Sequence, residues 1–275
     1  LNKLLIRILL HLQVEFSIHT KFPKYISSFQ TISFHNIPMQ LTEKEKERYN
    51  RQIQLDEIGE KGQTLLRQAK VLIVGVGGLG SPIAIYLCGA GVGTIGLVDD
   101  DKVSETNLQR QILYSETEVG KPKALCAKER LQKLNSNICI EAYPTRLTKE
   151  NAQEIISRYD IVVDGCDNFQ TRYLINDTCL LLNKVYVYGA IRAFDGQVSV
   201  FNYQGGKNYR DLFPDEEEML SMPAPPKGVL GVTPGLVGCT QANEVLKIIS
   251  GYGEVLSDKL WHIDLKTMVT HTILL

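Results

Sequence analysis

The sequence has no C-x-x-C pair, no apolar run long enough to cross a bilayer and no excess of charge of either sign. Its six cysteines, Cys88, Cys126, Cys139, Cys166, Cys179 and Cys239, stand apart from one another. That spacing excludes the usual zinc ribbon and a disulfide framework, and reads as a protein of the reducing cytoplasm. Lys and Arg number 30 against 31 Asp and Glu, for a formal net charge of -1, and they are scattered along the chain. No electrostatic footprint for nucleic acid results. The opening LNKLLIRILLHLQVEFSIHT is too short in its apolar part for a span and lacks a small-residue cleavage site, so no membrane association is expected.

What is present is an ordinary globular composition, 44% hydrophobic and 22% charged, enough to bury a substantial core. The chain opens on Leu1, while Met39 directly precedes LTEKEKERYNRQI, where Thr42 can cap a helix and Glu45 can complete a capping box. The expectation is that residues 1–38 lie upstream of the natural start as a disordered extension without function, and that residues 39–275 form a single domain.

From Met39 onward, helical and strand patterns alternate. Helices are predicted at 42–56 and 61–69, then the strand KVLIVG (70–75), a helix from Leu79 to Ala90 and the strand TIGLVD (94–99). A helix from Lys121 to Leu134, the strand NICIEAY (137–143), a helix at 148–158 and the strand DIVVDG (160–165) follow. A helix from Phe169 to Leu182 and the strand VYVYGA (185–190) complete the series. Apolar strands separated by helices indicate an α/β, Rossmann-like, doubly wound and mainly parallel sheet. Beyond Asp195, GQVSVFNY (196–203) and LWHIDLKTMVTHTILL (260–275) alternate as half-buried antiparallel strands, with a helix from Gly235 to Ile249 between them. Residues 204–231 are rich in Gly, Pro and acid and show no period, so they read as a long structureless loop, functional or mobile.

The first strand runs into Gly75-x-Gly77-Gly78-x-Gly80 at the start of a helix. Gly75 permits the turn, Gly77 lets backbone approach a phosphate, and Gly80 allows helix and strand to pack closely. Helix amides then point at the anion. Asp99, ending the next strand, can accept from ribose hydroxyls, so this fragment alone satisfies the dinucleotide fingerprint and favours NAD.

Downstream residues argue for more phosphate than NAD carries. Asn107, Arg110 and Gln111 follow Asp99 in DDKVSETNLQRQ, and Lys121 and Lys123 open the next helix. Cations are unfavourable at a helix N-terminus. A triphosphate would use Arg110 and Lys123 to hold its extra charge, whereas Lys121 alone reads as a solvated residue. DGCDN (164–168) falls at the C-terminal end of a predicted strand, on the ligand side of such a sheet. Asp167 there can bind Mg²⁺ through hard oxygen, or cap the helix that begins near Phe169.

RYNRQI (48–53), GVGGLG (75–80), LVDDDKV-x-x-x-NLQRQ (97–111), VGKPK (119–123), DGCDN (164–168) and GCTQANEVLKII (238–249) together resemble the ThiF/MoeB/HesA adenylyltransferases. These are the prokaryotic branch of ubiquitin-activating-type enzymes. The resemblance covers nearly everything after Met39. It implies a homodimer that uses ATP and Mg²⁺ to adenylate the C-terminal Gly-Gly carboxylate of a ubiquitin-like sulfur carrier, releasing pyrophosphate. Carried onto this chain, it assigns the phosphates to Gly75, Gly77, Gly78 and Gly80 and the ribose to Asp99. Arg110 and Lys123 neutralise the triphosphate, Asn107 and Gln111 line the site, and Asp167 holds the metal. Arg51 reaches into the partner subunit as an arginine finger. The chemistry is compatible, because the attacking carboxylate is already ionised and needs no general base.

The sequence also departs from that family. Many members carry CYRC after the antiparallel strand and a second pair near the C-terminus, which together bind structural zinc. Here the first motif reads NYRD, with Asn208 and Asp211 in the cysteine positions, and no zinc is expected. The position of a carrier-linking cysteine falls near Ala224, and Cys239 on the late helix reads as a small core residue. Cys166 reads as packing behind the metal ligand. Sulfur transfer would then fall to a separate donor protein. An NAD-dependent oxidoreductase and a non-catalytic carrier-binding relative are the alternatives; the first leaves Arg110, Lys123 and Asp167 without a purpose. The carrier is expected on the sheet face beyond Asp195 and the 204–231 loop, where the acidic run 215–218 reads as a solvated flank.

Overall fold

A computed structural model describes residues 40–223 and 228–275. The expectations for residues 1–38 and for Ala224 lie outside the described residues. Eight strands form one sheet: β1 (Lys70–Val74), β2 (Thr94–Val98), β3 (Cys139–Tyr143), β4 (Ile161–Asp164), β5 (Val185–Arg192), β6 (Asp195–Phe201), β7 (Lys259–Asp264) and β8 (Val269–Leu274). Their spatial order is β3-β2-β1-β4-β5-β6-β7-β8. Pairing is parallel from β3 through β5 and antiparallel from β5 to β8. This is the mixed, doubly wound α/β sheet the sequence predicts. Strand order reverses between β1 and β4, and ligands of such sheets bind beyond the C-terminal ends at that switch point.

The helices are α1 (Glu43–Arg48), α2 (Asn50–Ile53), α3 (Gly59–Gln68), α4 (Gly80–Ala90), α5 (Lys123–Leu134), α6 (Ala152–Ser157), α7 (Phe169–Leu181), α8 (Tyr209–Leu212), α9 (Glu216–Ser221) and α10 (Val232–Ser250). Thr42 and Glu45 make the capping box of α1. The single helix predicted over 42–56 is instead divided at Tyr49. That ring lies where a Cβ on Gly91 would be, and its hydroxyl accepts from Asn135 Nδ2 at 2.8 Å, so the turn is fixed by tertiary packing.

Each face of the sheet carries its own core. Ile73, Val163, Val187 and Val200 pack with Ile83, Leu87, Leu131 and Val245 from α4, α5 and α10. On the other face Leu72, Val162, Tyr186 and Phe201 meet Ile156, Tyr173, Tyr209 and Phe213. Each such fully buried aliphatic side chain contributes about 1.5–3 kcal/mol. Burial on both faces explains why β1 and β4 read as continuous apolar runs.

Two sequence expectations are corrected in the antiparallel half. The segment 204–231 contains α8 and α9, capped by Asn208 and Asp215. Helices of four and six residues are too short to show a period. The acidic run is more than a solvated flank, since Asp215 caps α9 and Glu216 pairs with Arg210 at 2.7 Å.

Candidate functional site

Two glycines build the crevice between β1 and β4. A Cβ on Gly165 would lie 2.1 Å from Gly75 O, and one on Gly75, at φ +88°, would lie 2.6 Å from Gly165 O. Only two residues without side chains allow the loops after β1 and β4 to touch. Gly80 is constrained in the same way, its Cβ position being 2.1 Å from Gly75 O. The chain therefore enters α4 directly beneath the loop. The helix has no side-chain cap and no acid in its first turn. Among the described residues, the amides of Gly77 and Gly78 meet no protein acceptor. Free amides at the positive end of a helix suit an anion.

Asp99 closes this loop from the β2 side. Its carboxylate accepts from Val76 N at 2.8 Å and from Asp101 N at 2.9 Å. Burial pushes the Asp99 carboxyl above its ordinary pKa, against the pull of those two amides and of Lys123. Lys123 opens α5 with its side chain buried, and its Nζ lies 2.9 Å from Asp101 Oδ2. The ammonium thus stands one residue pair away from Asp99, neutralised by Asp101. Asp99, Asp100 and Asp101 form a carboxylate cluster in which Arg146 faces Asp100 at 3.5 Å and Lys123 faces Asp101, so two of the three charges are met.

Asn107 ends a short 3-10 turn whose carbonyl accepts from the amides of Arg110 and Gln111. That turn directs both residues to the glycine loop. Arg110 Cδ lies 3.7 Å from the Cβ position of Gly78, and Gln111 Nε2 lies 3.4 Å from that of Gly77. Gln111 is buried with an unpartnered Oε1, and Tyr114 fastens the same segment by donating to Val76 O at 2.7 Å.

Asp167 sits on the opposite wall. The helix-capping alternative is removed, because Asn168 caps α7 by accepting from Thr171 N at 2.9 Å. Asp167 is exposed, with an Asn168 amide 3.4 Å away as its one recorded partner among the described residues. Neighbouring Asp164 is fully buried. It accepts from Cys166 N at 2.9 Å, Cys166 Sγ at 2.8 Å, Arg172 Nε at 3.0 Å and Tyr186 OH at 3.0 Å.

Arg51 lies elsewhere. Its neighbour Gln52 donates to Ala90 O at 3.2 Å, which fixes α2 at the C-terminal end of α4. The glycine loop meets the other end of α4, about 15 Å along the axis. Arg51 is exposed there, away from its own crevice.

The loop, the switch point and the two flanking segments match one known arrangement. The sequence profile of the ThiF family matches residues 49–275. This chain belongs to the ThiF family. It is 49% identical over 228 residues to the sulfur carrier protein adenylyltransferase of Thermus thermophilus, covering 81% of this chain and 84% of that protein. It is also 49% identical over 213 residues to a probable molybdopterin-synthase adenylyltransferase of Porphyra purpurea, covering 76% of this chain and 56% of that one. Several other relatives are likewise spanned over only about half their length. A crystal structure of MccB from E. coli with ATP superposes with a TM-score of 0.72 at 26% identity, over 82% of this chain and 71% of the other. The ThiF-family chain is an adenylyltransferase, and the family implies use of ATP. Among the described residues no helix is long and apolar enough to cross a membrane.

The residues that the sequence does not reveal are Arg172 and Gln241. Gln241 Nε2, from α10, donates to Asp164 O at 2.7 Å, and its amide fills the space a Cβ on Gly189 would need. Both lie outside the glycine and nucleotide patterns, and only their buried polarity marks them.

Proposed function

We propose that this ThiF-family chain transfers the adenylyl group of ATP to the C-terminal carboxylate of a small sulfur-carrier protein ending in Gly-Gly, releasing pyrophosphate. The crevice between β1 and β4 carries this reading: Gly75 meets Gly165 there, α4 opens on it without a side-chain cap, and Arg110 lies against Gly78. The names of the Thermus and Porphyra relatives support a sulfur carrier and, for the second, molybdopterin synthesis. The oxidoreductase alternative gives Arg110, which lies against the glycine loop at Gly78, no phosphate beyond one pyrophosphate to hold.

In this reaction a carboxylate oxygen bonds to the α-phosphorus while the bond to the β-phosphate oxygen breaks. The carrier's terminal carboxyl, with a pKa of about 3.5, is ionised at neutral pH, so no residue needs to remove a proton. Catalysis reduces to position and charge. The free amides of Gly77 and Gly78 hold the phosphates, Gly75, whose N–H donates to Val98 O, and Gly80 shape the turn, and Asp99 accepts from the ribose. Arg110 and Lys123 offset charge on the departing pyrophosphate, with Asn107 and Gln111 beside them. Asp167 fits Mg²⁺, being an exposed hard oxygen donor that faces no cation among the described residues. The metal supplies charge neutralisation on the triphosphate.

The position of α2 supports a homodimer in which Arg51 serves the crevice of a second copy, since it lies at the far end of α4 from its own. The thiols near the crevice are poor candidates for covalent capture: burial raises the pKa of Cys239, and burial with Asp164 raises that of Cys166. Sulfur is therefore assigned to a separate donor, and the reaction to the cytoplasm.

The test is exchange of labelled pyrophosphate into ATP with a Gly-Gly-ending carrier. Exchange that depends on the carrier and falls about a hundredfold or more in Lys123→Ala is expected. Absence of carrier-dependent exchange overturns the reading, and NADH binding without ATP binding would put the oxidoreductase in its place.

A further inference from the structure

We propose that Arg172 is a positioning residue that sets the carboxylate of Asp167 for the metal–triphosphate, acting through the Cys166 carbonyl; this rests on the adenylation reading. Arg172 lies in the second turn of α7 and is buried. Its Nε donates to Asp164 Oδ2 at 3.0 Å and its Nη2 to Cys166 O at 3.0 Å. One planar fork therefore ties the end of β4 to the residue immediately before Asp167. Only a guanidinium supplies two donors in fixed geometry from one side chain.

The rest of the network keeps the fork from turning. Its carbon lies 5.9 Å from the Phe169 ring centroid and 5.7 Å from that of Tyr188. Asp164, its counter-charge, is held by Tyr186 OH at 3.0 Å, and the Asp164 carbonyl by Gln241 at 2.7 Å. Burial works against the charge on Arg172, but the Asp164 carboxylate more than offsets it, so the guanidinium stays protonated. On the far side of the loop Gly165 rests on Gly75, and Asn168 caps α7. Gly165 N donates to Val74 O and Cys166 N to Asp164 Oδ1, the Asn168 side chain caps α7, and the exposed Asp167 carboxylate meets the Asn168 amide.

A buried ion pair is a weak source of stability, because desolvation of both partners consumes most of the attraction. Removing one partner leaves an uncompensated charge, so Arg172→Ala risks failing to fold. Arg172→Lys keeps the charge facing Asp164 but cannot make both bonds in one plane. It is the informative variant.

Two measurements decide the proposal. Amide hydrogen exchange of Cys166, whose N–H donates to Asp164 Oδ1, is expected to speed up at least tenfold in Arg172→Lys in the unliganded protein, with strands β1 and β4 unchanged. Mn²⁺ binding in the presence of a non-hydrolysable ATP analogue, read by its paramagnetic resonance, is expected to weaken about tenfold, while metal-free binding of the analogue stays within twofold. The loss should vanish in an Asp167→Asn background, as coupled residues require. An unchanged loop, or a loosened loop with unchanged Mn²⁺ affinity, overturns the proposal. So does wild-type Mn²⁺ affinity in Asp167→Asn; carrier-dependent pyrophosphate exchange would then still stand as a separate result, which distinguishes failure of the positioning role from failure of adenylation.

Discussion

The two halves of the sheet are fastened by different means. In the parallel half, the crevice is defined by backbone meeting backbone, with Gly80 and Gly165 each against Gly75. In the antiparallel half, α8 and α9 are fastened by side chains. Asn176 Oδ1 accepts from Tyr209 N at 2.8 Å, and Arg210 bonds Asp177 and Glu216 at 2.7 Å each while lying over the Tyr173 ring. The crevice to which the proposed reaction assigns the phosphates is thus built from the stiffer contacts. The surface expected to meet a protein partner is instead assembled from adjustable contacts.

If that contrast is right, the largest effect follows from one methyl group in the first half. Gly165→Ala places a Cβ 2.1 Å from Gly75 O, a backbone atom that cannot swing away. Overpacking of this kind costs about 1–3 kcal/mol. Activity should suffer far more, since a displacement of about 1 Å at a reacting site removes about a hundredfold in rate. Denaturant unfolding combined with carrier-dependent pyrophosphate exchange checks both. Exchange at the wild-type rate would mean that the loop contact has no part in the chemistry.

This contrast also explains what the sequence made legible. The glycine spacing, Asp99 and the alternation of strands and helices are local patterns, and the structure reproduces the predicted strands to within a few residues. Arg110 and Gln111 could be anticipated because a short turn directs both to the adjacent loop. Arg172 and Gln241 could not. Gln241 reaches Asp164 across 77 positions of chain, and no local period distinguishes it from any other polar residue on a helix. Likewise α8 and α9 are shorter than the window in which periodicity can be recognised, and their existence depends on caps and on Arg210. What the sequence missed is what long-range side-chain contacts create.

A smaller effect tests the second half. Arg210→Ala removes both carboxylate contacts and the contact with Tyr173, and because the group is partly exposed the loss should be about 1–2 kcal/mol. ATP affinity should not change. The hydrogen bonds from Arg210 hold Asp177 below its ordinary pKa, so its folded value lies under its unfolded one. Stability from this pair is therefore complete above the unfolded value of about 3.9 and is lost as pH falls through the lower, folded value. The difference between wild type and variant in unfolding free energy should be level from about pH 5 to 8 and shrink below about pH 4. A parallel fall in ATP affinity would break the separation of the halves.

The smallest expected effect is none at all, and it bears on Asn208 and Asp211, the positions that the family resemblance gives to zinc-binding cysteines. Asn208 and Asp211 bond each other here: Asp211 Oδ2 accepts from Asn208 N at 2.8 Å and from Asn208 Nδ2 at 2.6 Å, while Asn208 Oδ1 accepts from Arg210 N. A neutral amide is a poor zinc ligand, and the one carboxylate beside it already has two donors. The segment reaches α7 through Asn176, Arg210 and the packing of Tyr209 against Tyr173, whose ring centroids are 5.0 Å apart. With no zinc expected, a strong zinc chelator should leave the melting temperature and the exchange rate where they were. A chelator-induced drop in melting temperature would instead show that a metal helps to hold this half, and that the Arg210 contacts are only part of its fastening.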